Sequence, residues 1–262
     1  MELDNQVIKR IKLDVSNIRF SKTDIRKGLK FPDTLSEDLA YLCGVLSGDG
    51  CISINPKKGN YAISLYGNPK SDIEFYDYMI FPLFKNLFGI EVRPRLVDHK
   101  TVYMIPIVSK ALVEFFINVF DFPVGKKYDK LKFPTIIKSS QRCIISFIRG
   151  LADTDFCISL KKRNEEYGHY PVIACVSKSR ILIEELSKEF AKLGLIGYES
   201  LDYKWFDKRF HKELTISRIE LVGHKRLLKW MNTIGFWNPK HISKFEMWAK
   251  RNPKYSLQRE HF

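Results

Sequence analysis

Two short runs carry the residues best placed to do chemistry. Gly44-Val-Leu-Ser-Gly-Asp49-Gly-Cys-Ile-Ser53 and Gly150-Leu-Ala-Asp-Thr-Asp155-Phe-Cys-Ile-Ser159 align without a gap at an offset of 106 residues, with Gly, Asp, Cys, Ile and Ser shared. Read as helices that end at the acid, they place small residues one turn apart: Gly44 and Gly48 in the first, Gly150 and Thr154 in the second. Small residues at i and i+4 let two helix backbones come unusually close. Glycine inside a helix costs about 1 kcal/mol against alanine, so two in one turn need a packing reason. Such packing would bring Asp49 and Asp155 together where each helix end already carries partial negative charge. Crowded carboxylates either share a proton or hold cations. Oxygen ligands in a basic chain point to Mg²⁺ (or Mn²⁺), which can activate water and stabilise the leaving oxygen of a phosphodiester. Gly48-Asp49-Gly50 alone also reads as an ordinary turn. The second copy with its own acid argues against that reading.

The flanks repeat as well. After Asp49 come alternating Ile52 and Ile54, a turn at 56–59 and a second strand over 61–66. A helix over 72–88 follows, closed by Gly89 and interrupted by Pro82, which should kink or split it. Strands over 90–98 and 101–108 lead to a helix over 111–119 behind Ser109 as N-cap. After Asp155 the order recurs: strands from Ile158 and over 170–176, a helix over 179–193 closed by Gly194, strands over 198–205 and 213–221, and a helix over 224–234. The expectation is an α+β protein of two pseudo-symmetric αββαββα subdomains with antiparallel sheets and the two motif helices between them. Residues 1–36 read as an N-terminal extension, 37–120 as the first subdomain, 121–139 as a linker, and 140–262 as the second subdomain with a C-terminal helix.

Composition narrows the partners. The 262 residues include 44 Lys and Arg against 30 Asp and Glu, a net charge of +14 that favours a polyanion. The basic residues are spread along the chain, which disfavours a membrane-surface helix. The start lacks the apolar core of a signal peptide and no run is long enough to span a bilayer, so a cytoplasmic or organelle-matrix setting is expected. Five cysteines without a CxxC pair argue against a disulfide framework and a zinc ribbon.

At these residues the chain resembles the LAGLIDADG homing endonucleases in their single-chain, two-motif form. The motifs are Leu42-Cys-Gly-Val-Leu-Ser-Gly-Asp49-Gly50 and Ile148-Arg-Gly-Leu-Ala-Asp-Thr-Asp155-Phe156, and the likeness runs over about 37–250. The resemblance implies a Mg²⁺-dependent, intron-type enzyme that cuts both strands of a long, asymmetric DNA site as a monomer. It also implies one catalytic, metal-binding Asp per motif, Asp49 and Asp155. Gly48 and Thr154 join them at the metal site, and Asp153 is a less favoured third acid. Two departures stand out: Phe156 where the motif has Gly, and Ser47 where it has an acid. The family's basic residues near the phosphates suggest Lys70 and Lys178 as catalytic partners, with Lys110 and Lys225 a second symmetric pair. Alternatives on the same fold are an RNA-splicing maturase bound to its intron RNA and a non-cleaving DNA-binding regulator.

The strand patterns suit a saddle on DNA, with apolar residues facing inward and polar ones outward. The outward set expected on DNA is Ser53, Asn55, Lys57, Arg93, Arg95, Ser159, Lys161, Arg163 and Arg218. Its arginines would reach guanine edges and its lysines phosphates.

Overall fold

The computed structural model describes residues 10–164, 168–208 and 211–256. It contains the same α/β order twice. In the first half, α2 (Glu37–Asp49) follows a short α1 (Lys22–Arg26) and runs directly into β1 (Gly50–Asn55). Next come β2 (Asn60–Gly67), α3 (Ile73–Phe75), α4 (Phe81–Phe88), β3 (Arg95–Val97), β4 (Val102–Val108) and α5 (Lys110–Phe120). The second half has α6 (Gln141–Asp155), β5 (Phe156–Asn164), β6 (Gly168–Ser177), α7 (Arg180–Lys192), β7 (Tyr198–Asp207), β8 (Lys212–Val222) and α8 (His224–Thr233). Helices α9 (Pro239–Arg251) and α10 (Pro253–Ser256) complete it. The two antiparallel sheets have the same order, β1-β2-β4-β3 and β5-β6-β8-β7.

The register repeats as faithfully as the order. Cys51 pairs with Ser64 and Ser64 with Pro106, while Cys157 pairs with Ala174 and Ala174 with Glu220. One face of each sheet is therefore fixed against the core, through Ile52, Ile63, Leu65 and Ile105 in the first and Ile158, Ile173, Cys175 and Ile219 in the second. A one-residue slip would turn these apolar sets to solvent.

The contact between α2 and α6 sets the geometry between the halves. A methyl group on Gly44 would overlap the Phe147 carbonyl oxygen, and one on Gly150 would overlap the Tyr41 carbonyl oxygen. The two glycines thus occupy equivalent places in one close crossing. Gly48 stands against the Thr154 side chain one turn further on. Serines cap both helices: Ser36 accepts from Leu39 N–H and Ser140 from Cys143 N–H.

Several local expectations meet a physical correction. Pro82 does not split its helix: helical backbone runs without a break from Ile73 to Phe88, with a π-helical turn over Tyr76–Ile80 just before Pro82, which has no N–H to donate. The strand expected over 90–98 shrinks to Arg95–Val97, because Pro94 offers no N–H to a ladder. Phe156 does not distort the exit from α6. Its φ of −87° and ψ of 159° match the −82° and 154° of Gly50, and its buried ring packs against Phe190 and Trp230. The segment before α2 is built onto the first half: Leu13, Ile18 and Leu29 are buried, and Lys27 Nζ donates to the Val108 carbonyl at 2.8 Å. Among the described residues no helix is long and apolar enough to cross a membrane.

A Cβ at Gly44 or Gly150 has no room to enter without moving a backbone. Gly44→Ala and Gly150→Ala should each lower stability by about 1–3 kcal/mol, read as a lower urea midpoint at unchanged m-value.

Candidate active site

Both motif acids stand at the last residue of their helices, so the α2–α6 crossing brings the two carboxylates to one place. Asp49 is half-buried and Asp155 opens to solvent at the mouth, yet protein crowds both. Burial, with the Asp155 charge second, raises the Asp49 carboxyl from its ordinary 3.8 to about 7. Burial also raises Asp155, against the opposing pull of Lys127 and Lys240. The shift on Asp49 by Asp155 is the electrostatic signature of two like charges held close.

Three further side chains complete the site, and none was among the residues expected from sequence. Tyr76, carried by the π-helical turn, donates from its hydroxyl to Asp49 Oδ2 at 2.7 Å. Lys127 donates from Nζ to the Ser47 carbonyl at 2.6 Å and also to the Gly48 carbonyl. It thereby neutralises the negative end of α2. Burial lowers the Lys127 ammonium, while Asp155 and Asp49 oppose that shift. Lys240 bonds Asp72 Oδ1 at 3.0 Å, and its charge lowers both Asp49 and Asp155. A sequence signal for the lysines did exist: each lies seven residues past the third helix of its half, Lys127 after Phe120 and Lys240 after Thr233. Neither Lys70 nor Lys178 makes a hydrogen bond or ion pair with either acid among the described residues. Lys70 is exposed in the turn after β2, and the Lys178 ammonium lies 4.3 Å from the centre of the Tyr128 ring. Lys110 is held by Glu114 at 3.9 Å, and Lys225 is exposed.

Asp153 has a different surrounding. It is fully buried and accepts from the Tyr41 hydroxyl at 2.6 Å, Trp237 N–H at 2.9 Å and Asn238 N–H at 3.0 Å. Burial raises its carboxyl to about 6 in spite of those bonds. Its neighbours make it a tie between α6, α2 and the chain entering α9. The equivalent Ser47 closes onto its own helix, donating to the Cys43 carbonyl at 2.9 Å.

The acid pair fits a hard divalent cation. Among the described residues no cluster of three or more Asp, Glu, His or Cys forms a closed cage, and no hydrogen bond to Asp155 is present. Mg²⁺ is commonly held by one or two carboxylates and completed by water and phosphate oxygens. Thr154 turns its hydroxyl back to the Leu151 carbonyl at 2.9 Å, and the Gly48 carbonyl is engaged by Lys127. Each keeps an oxygen lone pair, so both can still stand beside Asp49 and Asp155, whose carboxylates carry the charge a cation seeks.

The outward residues fall as the alternation requires where they lie on strands, but Lys57 sits in the 3-10 turn Pro56–Lys58 and Arg93 in the segment before β3, so strand alternation places neither of them. Ser53, Asn55, Lys57, Arg93, Arg95 and Lys161 are exposed, and Ser159 is half-buried. Arg218 lies beside Glu220 at 3.5 Å and over the Tyr203 ring. Arg163 is on β5, with its side chain outside the described residues.

No family model matches the chain. In sequence it is 25% identical, over 95% of its length, to a probable translation initiation factor IF-2 of Methanocaldococcus jannaschii, of which it spans 20%. It is 27% identical, over 68% of its length, to 12% of the elongation factor 2 of Methanopyrus kandleri. The chain therefore spans about a fifth or less of these two relatives. Among solved structures, I-DmoI in complex with DNA and Ca superposes with a TM-score of 0.54 at 20% identity, covering 80% of this chain and 97% of that one. Meganuclease I-SmaMI bound to uncleaveable DNA gives 0.50 at 12% identity, covering 80% and 88%. The fold is that of the homing endonucleases. The homing-endonuclease fold accounts for the doubled sheet order and for the acid-ended helices at its centre.

Asp49 titrates higher folded than unfolded, so the folded state holds the extra proton between about pH 4 and 7. Stability from this group is complete below pH 4 and is lost as pH rises through about 7. In metal-free protein at pH 8, Asp49→Asn should raise Tm on the order of 2–4 °C, with the gain vanishing near pH 4 in calorimetric scans. Asp153→Ala should act oppositely, costing about 3 kcal/mol by leaving the Tyr41 hydroxyl and two amides unpaired, measured by urea unfolding.

Proposed function

We propose that the chain is a site-specific double-strand DNA endonuclease that hydrolyses phosphodiesters with divalent metal between Asp49 and Asp155. The observation that carries the reading is the pair of carboxylates at the ends of two glycine-locked helices, with Lys127 from the loop after α5 and Lys240 from the first turn of α9 beside them. The division into a first subdomain 37–120, a linker 121–139 and a second subdomain 140–262 belongs to the same proposal, with residues 10–36 added to the first. Both acids come from one chain, which supports action as a monomer.

Each residue has a definite task. Asp49 and Asp155 would hold the cation, Mg²⁺ or Mn²⁺, which would supply water activation and stabilisation of the leaving oxygen. Tyr76 fixes the orientation of the Asp49 carboxylate and favours its charged form. Lys127 and Lys240 set positive charge beside the acids, where phosphate oxygens gain negative charge as the bond breaks. Held on backbone carbonyls or a neighbouring carboxylate, they need little rearrangement to do so. The outward faces of the two sheets, continuous with the acid pair, take the DNA on either side. I-DmoI and I-SmaMI, both seen with DNA, share this fold, and the net charge of +14 suits the same partner.

The reading is tested by cleavage of a randomised duplex library in Mg²⁺, with an EDTA control. Asp49→Asn and Asp155→Asn should each abolish cutting, and Lys127→Met should lower kcat about 10²-fold. Full cleavage by either Asn variant would end the assignment. Because cation binding requires both acids charged, the rate should rise with pH through Asp49 titration, and that midpoint should move down as Mg²⁺ is raised.

A further inference from the structure

The doubled register permits a comparison of the two outward faces, position by position. Asn55, Met104 and Pro106 of the first sheet take the same places as Lys161, Arg218 and Glu220 of the second. On the central strands, Met104 pairs with Tyr66 and Pro106 with Ser64, as Arg218 pairs with Val176 and Glu220 with Ala174. Both faces are open: Val108 is 49% exposed beside Ala62, and Val176 is 45% exposed beside Arg218. The chemistry at the equivalent positions differs. In the second sheet, Glu220 lies 3.3 Å from Lys161 and 3.5 Å from Arg218, a carboxylate flanked by two cations. In the first sheet the same positions have no charge. The nearest one is Arg95 on the edge strand, whose guanidinium rests 3.9 Å from the Met104 sulfur.

We infer that the two sheets read opposite kinds of base edge: Met104 and Pro106 take thymine methyl groups, while Arg218 and Glu220 read a G·C-bearing step. The inference rests on the DNA reading above and adds the half-site chemistry to it. In the major groove thymine presents a C5 methyl, guanine two acceptors and cytosine an amino donor. A thioether and a proline ring can bury the methyl but cannot donate to guanine's acceptors, and the sulfur is only a weak acceptor for an amino group. Arg218 can donate to guanine O6 and N7, and Glu220 can accept from cytosine N4. Glu220 also holds Arg218 and Lys161 in the plane of the face before DNA arrives, so less side-chain freedom is lost on binding. Tyr203 backs the Arg218 guanidinium from the adjoining strand.

The test begins with sequences selected by the wild-type protein from a randomised duplex library. In the half bound by the first sheet, each thymine is replaced in turn by uracil, which removes only the methyl. In the other half, each guanine is replaced by 7-deazaguanine, which removes only the N7 acceptor. Uracil at one position in the first half should weaken binding about fourfold, the worth of one buried methyl. Deazaguanine at one position in the second half should weaken it about tenfold or more. Met104→Ser should erase the first effect and Arg218→Met the second, each leaving the other intact. Selected sites that are indifferent to both replacements overturn the inference in the wild-type protein alone, whatever the variants do. Effects that persist in the variants overturn the residue assignment. Failure to enrich any duplex at all would instead remove the DNA reading on which the inference stands.

Discussion

Everything at the centre of this molecule depends on two helix backbones touching. Gly44 faces the Phe147 carbonyl and Gly150 faces the Tyr41 carbonyl, and neither place has room for a methyl group. That contact fixes the crossing of α2 and α6, and the crossing fixes the distance between their final residues. Because α2 and α6 run without a break into β1 and β5, it also orients both sheets. Carboxylates at the ends of two such helices resist being charged together, and the raised carboxyls of Asp49 and Asp155 express that resistance. The glycine contact holds them in place regardless. The result is a preorganised demand for positive charge, met by two lysines and open to a divalent ion.

Much of this was legible in the sequence because it is carried by local rules. Helices, caps and strand alternation follow from spacing, and a repeat with one offset makes two weak motifs into one strong pattern. Ser36, Ser109, Ser140 and Ser179 each cap a helix through their hydroxyls, as residue type alone suggests. What was not legible is long-range. Tyr76 reaches Asp49 because a π-helical turn before Pro82 rotates it inward. Lys127 sits in a loop and Lys240 in the first turn of α9, and the paths of both segments are set by contacts far away in sequence. Lys70 and Lys178 were suggested by symmetry around the second strand of each half. Two further cations that act on the acids, Lys127 and Lys240, follow the third helix of each half.

The role of Asp153 shows how a motif position can change duty within one fold. At the equivalent place, Ser47 spends its hydroxyl on its own helix. Asp153 reaches outward and gathers Tyr41, Trp237 and Asn238. A buried carboxylate is costly unless every lone pair finds a donor. Here the donors come from α2, in the other half, and from the chain entering α9, so satisfying one acid ties three elements together.

That tie explains how the lysines are delivered. The loop that carries Lys127 is fixed by a backbone bond from Gly125 N–H to the Ile52 carbonyl at 2.7 Å, beside the start of the first sheet. Lys240 lies in the first turn of α9, and the loop entering that helix has its amides on Asp153 instead. Two unrelated anchors thus place two lysines at equivalent spacing beside one acid pair. They do not place them alike: Lys127 rests on helix carbonyls, whereas Lys240 is partly neutralised by Asp72. Asp49 likewise has a tyrosine donor, and among the described residues Asp155 is bonded by none. The fold repeats its strand order and central register and varies the side chains that set charge. The symmetric backbone fixes where the acids meet, and the unequal partners give each acid its own electrostatic setting.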